Sequence, residues 1–111
     1  IDLMLPLEKV SLQLIEELKQ LEPHGESNPP PTFMTIATLL DARKVGKTNA
    51  HLKCRFEQNG AIIDGIGFNL AHTLSEIKTQ KIQMVFGVSI NEFKGKRTPQ
   101  VEIIDIKEYG H

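Results

Sequence analysis

Apolar and polar residues alternate most regularly over residues 81–93. Ile82, Met84, Phe86, Val88 and Ile90 take one parity there, and Gln83, Val85, Gly87, Ser89 and Asn91 the other. A period of two predicts a strand with one face buried. The same pattern over residues 50–57 sets Leu52, Cys54 and Phe56 against His51, Lys53 and Arg55. Asn59-Gly60 tolerates positive φ at both positions and predicts a tight hairpin into a third strand over residues 61–68. Residues 33–40, rich in Thr and aliphatics, predict the first strand. Residues 98–107 predict the last, after a turn over Lys94-Gly95-Lys96-Arg97. Gly65 and Gly67 leave one parity of the third strand bare, which implies strong bending or the close approach of another backbone.

Helical spacing occurs twice. Leu14, Ile15, Leu18 and Leu21 form a stripe behind Ser11, whose hydroxyl suits an N-cap, and Pro23 with Gly25 ends that helix. Leu70, Leu74 and Ile77 predict a short helix within residues 69–79. Residues 1–10, with Pro6 among them, read as an extended connector. Residues 22–32 read as a loop stiffened by Pro29, Pro30 and Pro31, although a triple proline is also a weak candidate for a proline-recognition ligand. The order is thus a helix followed by β-β-β-α-β-β. That order predicts a mainly β chain, a five-stranded OB-fold barrel over residues 33–109 behind a lead-in over residues 1–32. A flat antiparallel sheet with a helix on one side is the rival. The long first strand and the glycine-marked bend favour the barrel.

Composition narrows this picture. With 111 residues, 40% of them hydrophobic, the chain suits one compact core and not two. It begins at Ile1, as expected of a piece of a longer protein or of a processed N-terminus. No apolar run approaches the ~20 residues of a membrane helix, and no basic-then-apolar leader opens the chain. No membrane partner is expected. The single cysteine, Cys54, cannot form an internal disulfide, which fits a reducing cytoplasm. Its place between Leu52 and Phe56 marks it as a buried strand residue rather than a nucleophile.

The net charge of −1 conceals an asymmetry: residues 1–28 carry six acids and two bases, residues 29–111 eight acids and eleven bases. Residues 42–56 hold Arg43, Lys44, Lys47, Lys53 and Arg55 with no acid, and residues 93–101 hold Lys94, Lys96 and Arg97, again with none. Each lysine taken singly is an ordinary surface residue. In an OB barrel, however, ligands use the face of the second and third strands and the loops joining strands one to two and four to five. Both basic stretches fall on those elements, with His51, Lys53 and Arg55 on the outward face between them. This is the charge pattern that a nucleic-acid backbone requires. Phe68 and Phe93 are candidates either for base stacking or for the rim of the core, and Phe86 belongs to the core. Catalysis finds no support. His24, His51, His72 and His111 lie on elements that look unrelated, no metal-ligand spacing recurs, and Gly65-Ile66-Gly67 is only a fragment of a nucleotide-binding motif.

Several runs resemble a known family. Leu21-Glu22-Pro23-His24-Gly25-Glu26-Ser27-Asn28-Pro29 is similar to the signature that precedes the OB domain of the RecJ family of single-stranded-DNA-specific exonucleases, with His24 where Phe is usual and Ser27 where Gly is usual. Asp41-Ala42-Arg43, Val45-Gly46-Lys47 and His51-Leu52-Lys53 resemble its next segment. Gly65-Ile66-Gly67-Phe68 and residues 91–100 resemble its later strand and final hairpin, so nearly the whole chain is covered. The resemblance implies a non-catalytic module that holds single-stranded DNA for a separate nuclease core of the same chain, in DNA repair and recombination. Mn2+ or Mg2+ would belong to that core, with no cofactor or metal here. Single-strand-binding protein is a candidate partner. Arg43, Lys47, His51, Lys53, Lys96, Arg97 and Gln100 match motif positions. Together with Lys44, Arg55, Phe93 and Lys94 they form the expected DNA-binding set. The alternatives are a structural or protein-interaction domain that closes the nuclease channel or recruits a partner, and an RNA-binding OB-fold.

Overall fold

The computed structural model describes residues 3–20 and 30–110. The expected helix end at Leu21, Pro23 and Gly25, the loop positions 22–29 with His24, and the terminal His111 lie outside the described residues. Among the described residues six strands form one sheet: β1 (Leu3–Met4), β2 (Phe33–Val45), β3 (His51–Gln58), β4 (Ala61–Gly67), β5 (Lys81–Phe93) and β6 (Lys96–Glu108). Their order is β1-β2-β3-β4-β6-β5, and a β2–β5 pairing closes it. The expected five-stranded OB-fold barrel is therefore β2 to β6, with β4 and β6 parallel and the remaining barrel pairs antiparallel.

Closure depends on β2. Its first half pairs with β5, from Phe33 opposite Phe86 to Thr38 opposite Lys81. Its second half pairs with β3, from Thr38 opposite Glu57 to Val45 opposite His51. Thr38 is shared, and a bulge just beyond it skips Leu40. A bulge adds local coiling, which lets one strand turn a barrel corner. A second register shift, between Val85 and Phe86, bends the β5–β6 ribbon. The first strand runs to Val45 rather than stopping at residue 40, because the bulge lets the ladder resume beyond the corner. The last begins at Lys96 rather than at residue 98, because the turn needs only Lys94 (φ 53°) and Gly95 (φ 78°).

The core follows the alternation. Leu52, Phe56, Ile82, Phe86 and Val101 are wholly buried. Gly65 makes room for two of them. A Cβ there would stand 2.8 Å from both Phe56 Cε2 and Val101 Cγ2, and one at Gly67 would stand 2.8 Å from Leu70 Cδ1. The glycine pair thus admits neighbouring side chains into the barrel rather than a neighbouring backbone.

The stretch expected as a connector is built into the barrel. Leu5, Leu7 and Val10 are core residues, with a 3-10 turn over Leu7–Lys9. Gln58 ties it down: its Oε1 accepts from the Leu7 N–H at 2.7 Å, and its Nε2 donates to Thr35 Oγ1 at 2.8 Å and to the Ile36 carbonyl at 2.6 Å. Apolar residues at 5, 7 and 10 fit neither period cleanly, so periodicity alone does not reveal this packing. Helix α1 (Leu12–Gln20) starts as expected, with Ser11 Oγ accepting from the Leu14 N–H at 3.1 Å, and it buries Ile15. The second helix is a 3-10 segment, Ala71–Glu76. It is too short for a cooperative α-helix, and the Leu70 carbonyl takes both the N–H and the hydroxyl of Thr73.

Replacing Gly65 with Ala forces a methyl group against Phe56 and Val101 and is expected to cost about 1–3 kcal/mol in urea denaturation. Gly87→Ala meets nothing closer than 4.0 Å and should leave stability within about 0.5 kcal/mol. Equal losses would show that the notch at Gly65 is not needed.

Candidate nucleic-acid interface

The outward face of β3 and β4 is organised in rows across the sheet, because residues directly opposite one another in a ladder point to the same side. One row runs Asp41, Arg55, Asp64, Gln100, Ser89 across β2, β3, β4, β6 and β5. The next, toward the β2–β3 loop, places Arg43 opposite Lys53, with Ile66 beyond. Val45 opposite His51 ends the face at that loop.

The two basic loops lie at opposite ends of this face. His51 is four residues along β3 from Arg55, and Lys96 is four residues along β6 from Gln100, in the opposite direction. At ~3.3 Å per residue each lies about 13 Å from the central row. The loops do not converge on one point. They bracket a strip crossing β3 and β4.

The expected residues differ in how free they are. Arg43, Lys44, Lys47 and Lys53 are exposed, and no ion pair holds them among the described residues. Lys44 sits opposite Leu52, so it belongs to the barrel mouth rather than to the outward rows. Arg55 is not free: its Nε lies 3.0 Å from Asp64 Oδ1. Arg97 is not free either, since its Nη2 reaches Glu16 Oε1 on α1 at 2.8 Å. Lys96 and Arg97 stand on β6, opposite Phe93 and Glu92, rather than in the turn. Lys94 holds its ammonium 5.3 Å from the centre of the exposed Phe93 ring, a cation–π contact. Gln100 faces outward and donates from Nε2 to Ser89 Oγ at 3.0 Å.

His51 braces the face rather than projecting from it. Its Nδ1 accepts from the Asn69 N–H at 3.0 Å, which leaves the proton of a neutral ring on Nε2. Its ring meets Phe68 edge-on at 5.4 Å between centroids. A Cβ at Gly46 would stand 2.9 Å from its Cδ2, so the β2–β3 loop closes over it through a glycine at φ 97°. Phe68 keeps 55% of its surface exposed and Phe93 65%, one toward each end of the face, while Phe86 is buried.

Both acids of the central row, Asp41 and Asp64, are absent from the expected set. The acid-free window of residues 42–56 starts one residue after Asp41. Asp64 was legible: a two-residue Asn59-Gly60 turn sets 58 opposite 61 and therefore 55 opposite 64, as observed. Asp41 depends on where the pairing resumes after the β2–β3 loop, which the turn residues there do not fix.

Beneath the face, Cys54 is buried. Burial and, secondarily, the charge of Asp41 push its thiol up to about 12. Among the described residues no group of three His, Cys, Asp or Glu side chains could hold a metal ion. Asp41 and Asp64 flank an arginine instead.

The sequence pattern of the RecJ OB domain matches residues 1–105. The chain belongs to the RecJ OB-domain family. A relative from Bacillus subtilis (strain 168), "Single-stranded-DNA-specific exonuclease RecJ", is 32% identical over 107 residues, covering 95% of this chain and 14% of its own length. The chain thus spans about one seventh of that relative. Among solved structures, RecJ from Thermus thermophilus in complex with Mn2+ superposes with a TM-score of 0.67 at 24% identity, over 100% of this chain and 16% of that one. A Replication Protein A heterotrimer bound to ssDNA gives 0.56 at 13% identity, over 100% and 84%. At these identities the structural likenesses establish the OB-fold.

The buried thiol gives a pH test. A raised thiol pKa stabilises the fold below about pH 9, where the unfolded thiol is still neutral. That stabilisation is lost as pH rises from about 9 toward 12. Urea midpoints of the wild type should therefore fall more steeply over this range than those of Cys54→Ala. Parallel decline of the two, or rapid labelling of the native thiol at about pH 8, below its ordinary pKa, would contradict burial.

Proposed function

We propose that the outward face of β3 and β4 binds single-stranded DNA without sequence preference. The observation that carries this reading is the placing of cations without an ion-pair partner among the described residues on both sides of one strip: Arg43, Lys47 and Lys53 on one side, Lys94 and Lys96 on the other. Phosphates of an extended strand would be neutralised at the two ends. Exposed Phe68 and Phe93 supply stacking surfaces near them, each able to contribute ~1–3 kcal/mol per base. The relatives' description as single-stranded-DNA-specific exonucleases and the ssDNA-bound Replication Protein A neighbour support the same ligand.

The chain itself is read as non-catalytic. Its role would be to present one strand to a metal-dependent nuclease core elsewhere in a longer cytoplasmic protein of DNA repair and recombination. The Mg2+ or Mn2+ named with the Thermus structures is assigned to that core. A second face favours contact with other parts of such a protein. Ile104 is 48% exposed beside a groove lined by Ile15, Leu18, Pro30, Pro31 and Val88, on the side of the barrel that α1 covers.

Fluorescence anisotropy with labelled oligothymidylate and a duplex of equal length tests the reading. Binding should favour the single strand. With about five phosphates neutralised, log affinity should fall with log salt at a slope of roughly 3.5, so a fourfold rise in salt weakens binding about a hundredfold. Lys47→Glu with Lys53→Glu should weaken binding by roughly tenfold or more and flatten the slope by about 0.7 per lost contact. Lys19→Glu with Lys107→Glu should do neither. Equal affinity for duplex, or equal losses in the two variants, would overturn the assignment.

A further inference from the structure

We propose that Asp64 is an internal competitor for the bound strand: it occupies Arg55 at the centre of the face and so limits how tightly phosphate is held there. This rests on the face being a strand-binding surface and adds what sets its strength. Arg55 sits in the central row with Asp41 on one side and Asp64 on the other. The row therefore carries one cation and two anions. The neighbouring row, Arg43, Lys53, Ile66 and Glu102, carries two cations and one anion, with Glu102 two strands away from Lys53. Positive charge is thus concentrated away from the centre, about 7 Å off at Arg43 and Lys53 and about 13 Å off at Lys96, and the centre is less favourable for a phosphate unless an acid is displaced.

Displacement is feasible because the pair is open to water. The Arg55 and Asp64 side chains keep 58% and 42% of their surface, and their contact is a single Nε to Oδ1 hydrogen bond at 3.0 Å. Exposed pairs of this kind are weak and screened by salt. A phosphate can accept from the same guanidinium, bidentately where geometry allows. A carboxylate partner recurs at the hairpin, where Glu16 on α1 holds Arg97 at 2.8 Å with both side chains about half exposed, although Arg97, three residues from Gln100, has the opposite parity on β6. Two of the three arginines in the candidate set thus carry a carboxylate partner, whereas the lysines carry none among the described residues. Lysines at the ends would hold the backbone, and each paired arginine would engage phosphate only by giving up its acid. Affinity stays moderate, and a strand can leave each arginine as the carboxylate returns.

Salt titrations of labelled oligothymidylate binding to the wild type, Asp64→Asn, and Asp64→Asn with Arg55→Gln test this. Asp64→Asn should bind about fivefold tighter at low salt and steepen the salt slope by about 0.7, one further phosphate neutralised. The double variant should return both to the wild-type value or below, because the gain passes through Arg55. Unchanged or weaker binding by folded Asp64→Asn would overturn the proposal. A gain that persists without Arg55 would also overturn it, by showing only a general loss of negative charge. Should Asp64→Asn not fold, Asp64→Ser carries the same test: tighter binding with a steeper slope supports competition, and no change overturns it. Absence of salt-dependent binding by the wild type would instead overturn the strand-binding reading, and this inference with it.

Discussion

The barrel holds together because one strand is hydrogen-bonded to two partners in succession. β2 leaves β5 and takes up β3 at Thr38, and the skipped Leu40 supplies the coil that the change of partner requires. Closure removes the open sheet edges and directs one parity of every barrel strand inward. That leaves little room where β3, β4 and β6 meet, and Gly65 is the gap into which Phe56 and Val101 fit. The Gln58 side chain completes the same corner by joining the lead-in to β2 with three hydrogen bonds.

The candidate binding face inherits its geometry from this closure. Because β4 and β6 run parallel, the β5–β6 hairpin must emerge at the end of β3 opposite the β2–β3 loop. His51 and Lys96, where the two basic segments meet the strands, are thereby offset across the strip by about 26 Å along the strand direction (twice four residues at ~3.3 Å each). A strip of this kind suits an extended polymer with repeating charge better than a compact ligand. Its middle is not a uniform positive surface. Asp41 and Asp64 bring the central row to a net negative charge, so the spacing of the end cations, rather than the total charge, gives the face its character.

Much of this was legible in the sequence. Period-two alternation placed the strands of the barrel, and the Asn59-Gly60 turn fixes the β3–β4 register; the second turn takes two residues, Lys94-Gly95, where four were expected. The inward set Leu52, Cys54 and Phe56 and the outward set His51, Lys53 and Arg55 lie where alternation puts them. What escaped were features that arise only from packing. Leu5, Leu7 and Val10 join the core without a periodic signature. Glu16 meets Arg97 across 81 positions of sequence. His51 turns from a candidate ligand contact into a brace because Asn69, at φ 59°, aims its N–H at the imidazole. Counting charges within one linear window missed Asp41 and Asp64, since a sheet assembles its faces from neighbouring strands.

The most direct measurement is a map of backbone amide chemical shifts on the 15N-labelled chain titrated with oligothymidylate at low salt. Strand binding at the proposed face predicts that the largest changes fall on residues 43–47, 51–55, 64–68 and 93–97 and fade as salt is raised. Changes confined to α1 and the groove beside Ile104, or no changes at all, would contradict it.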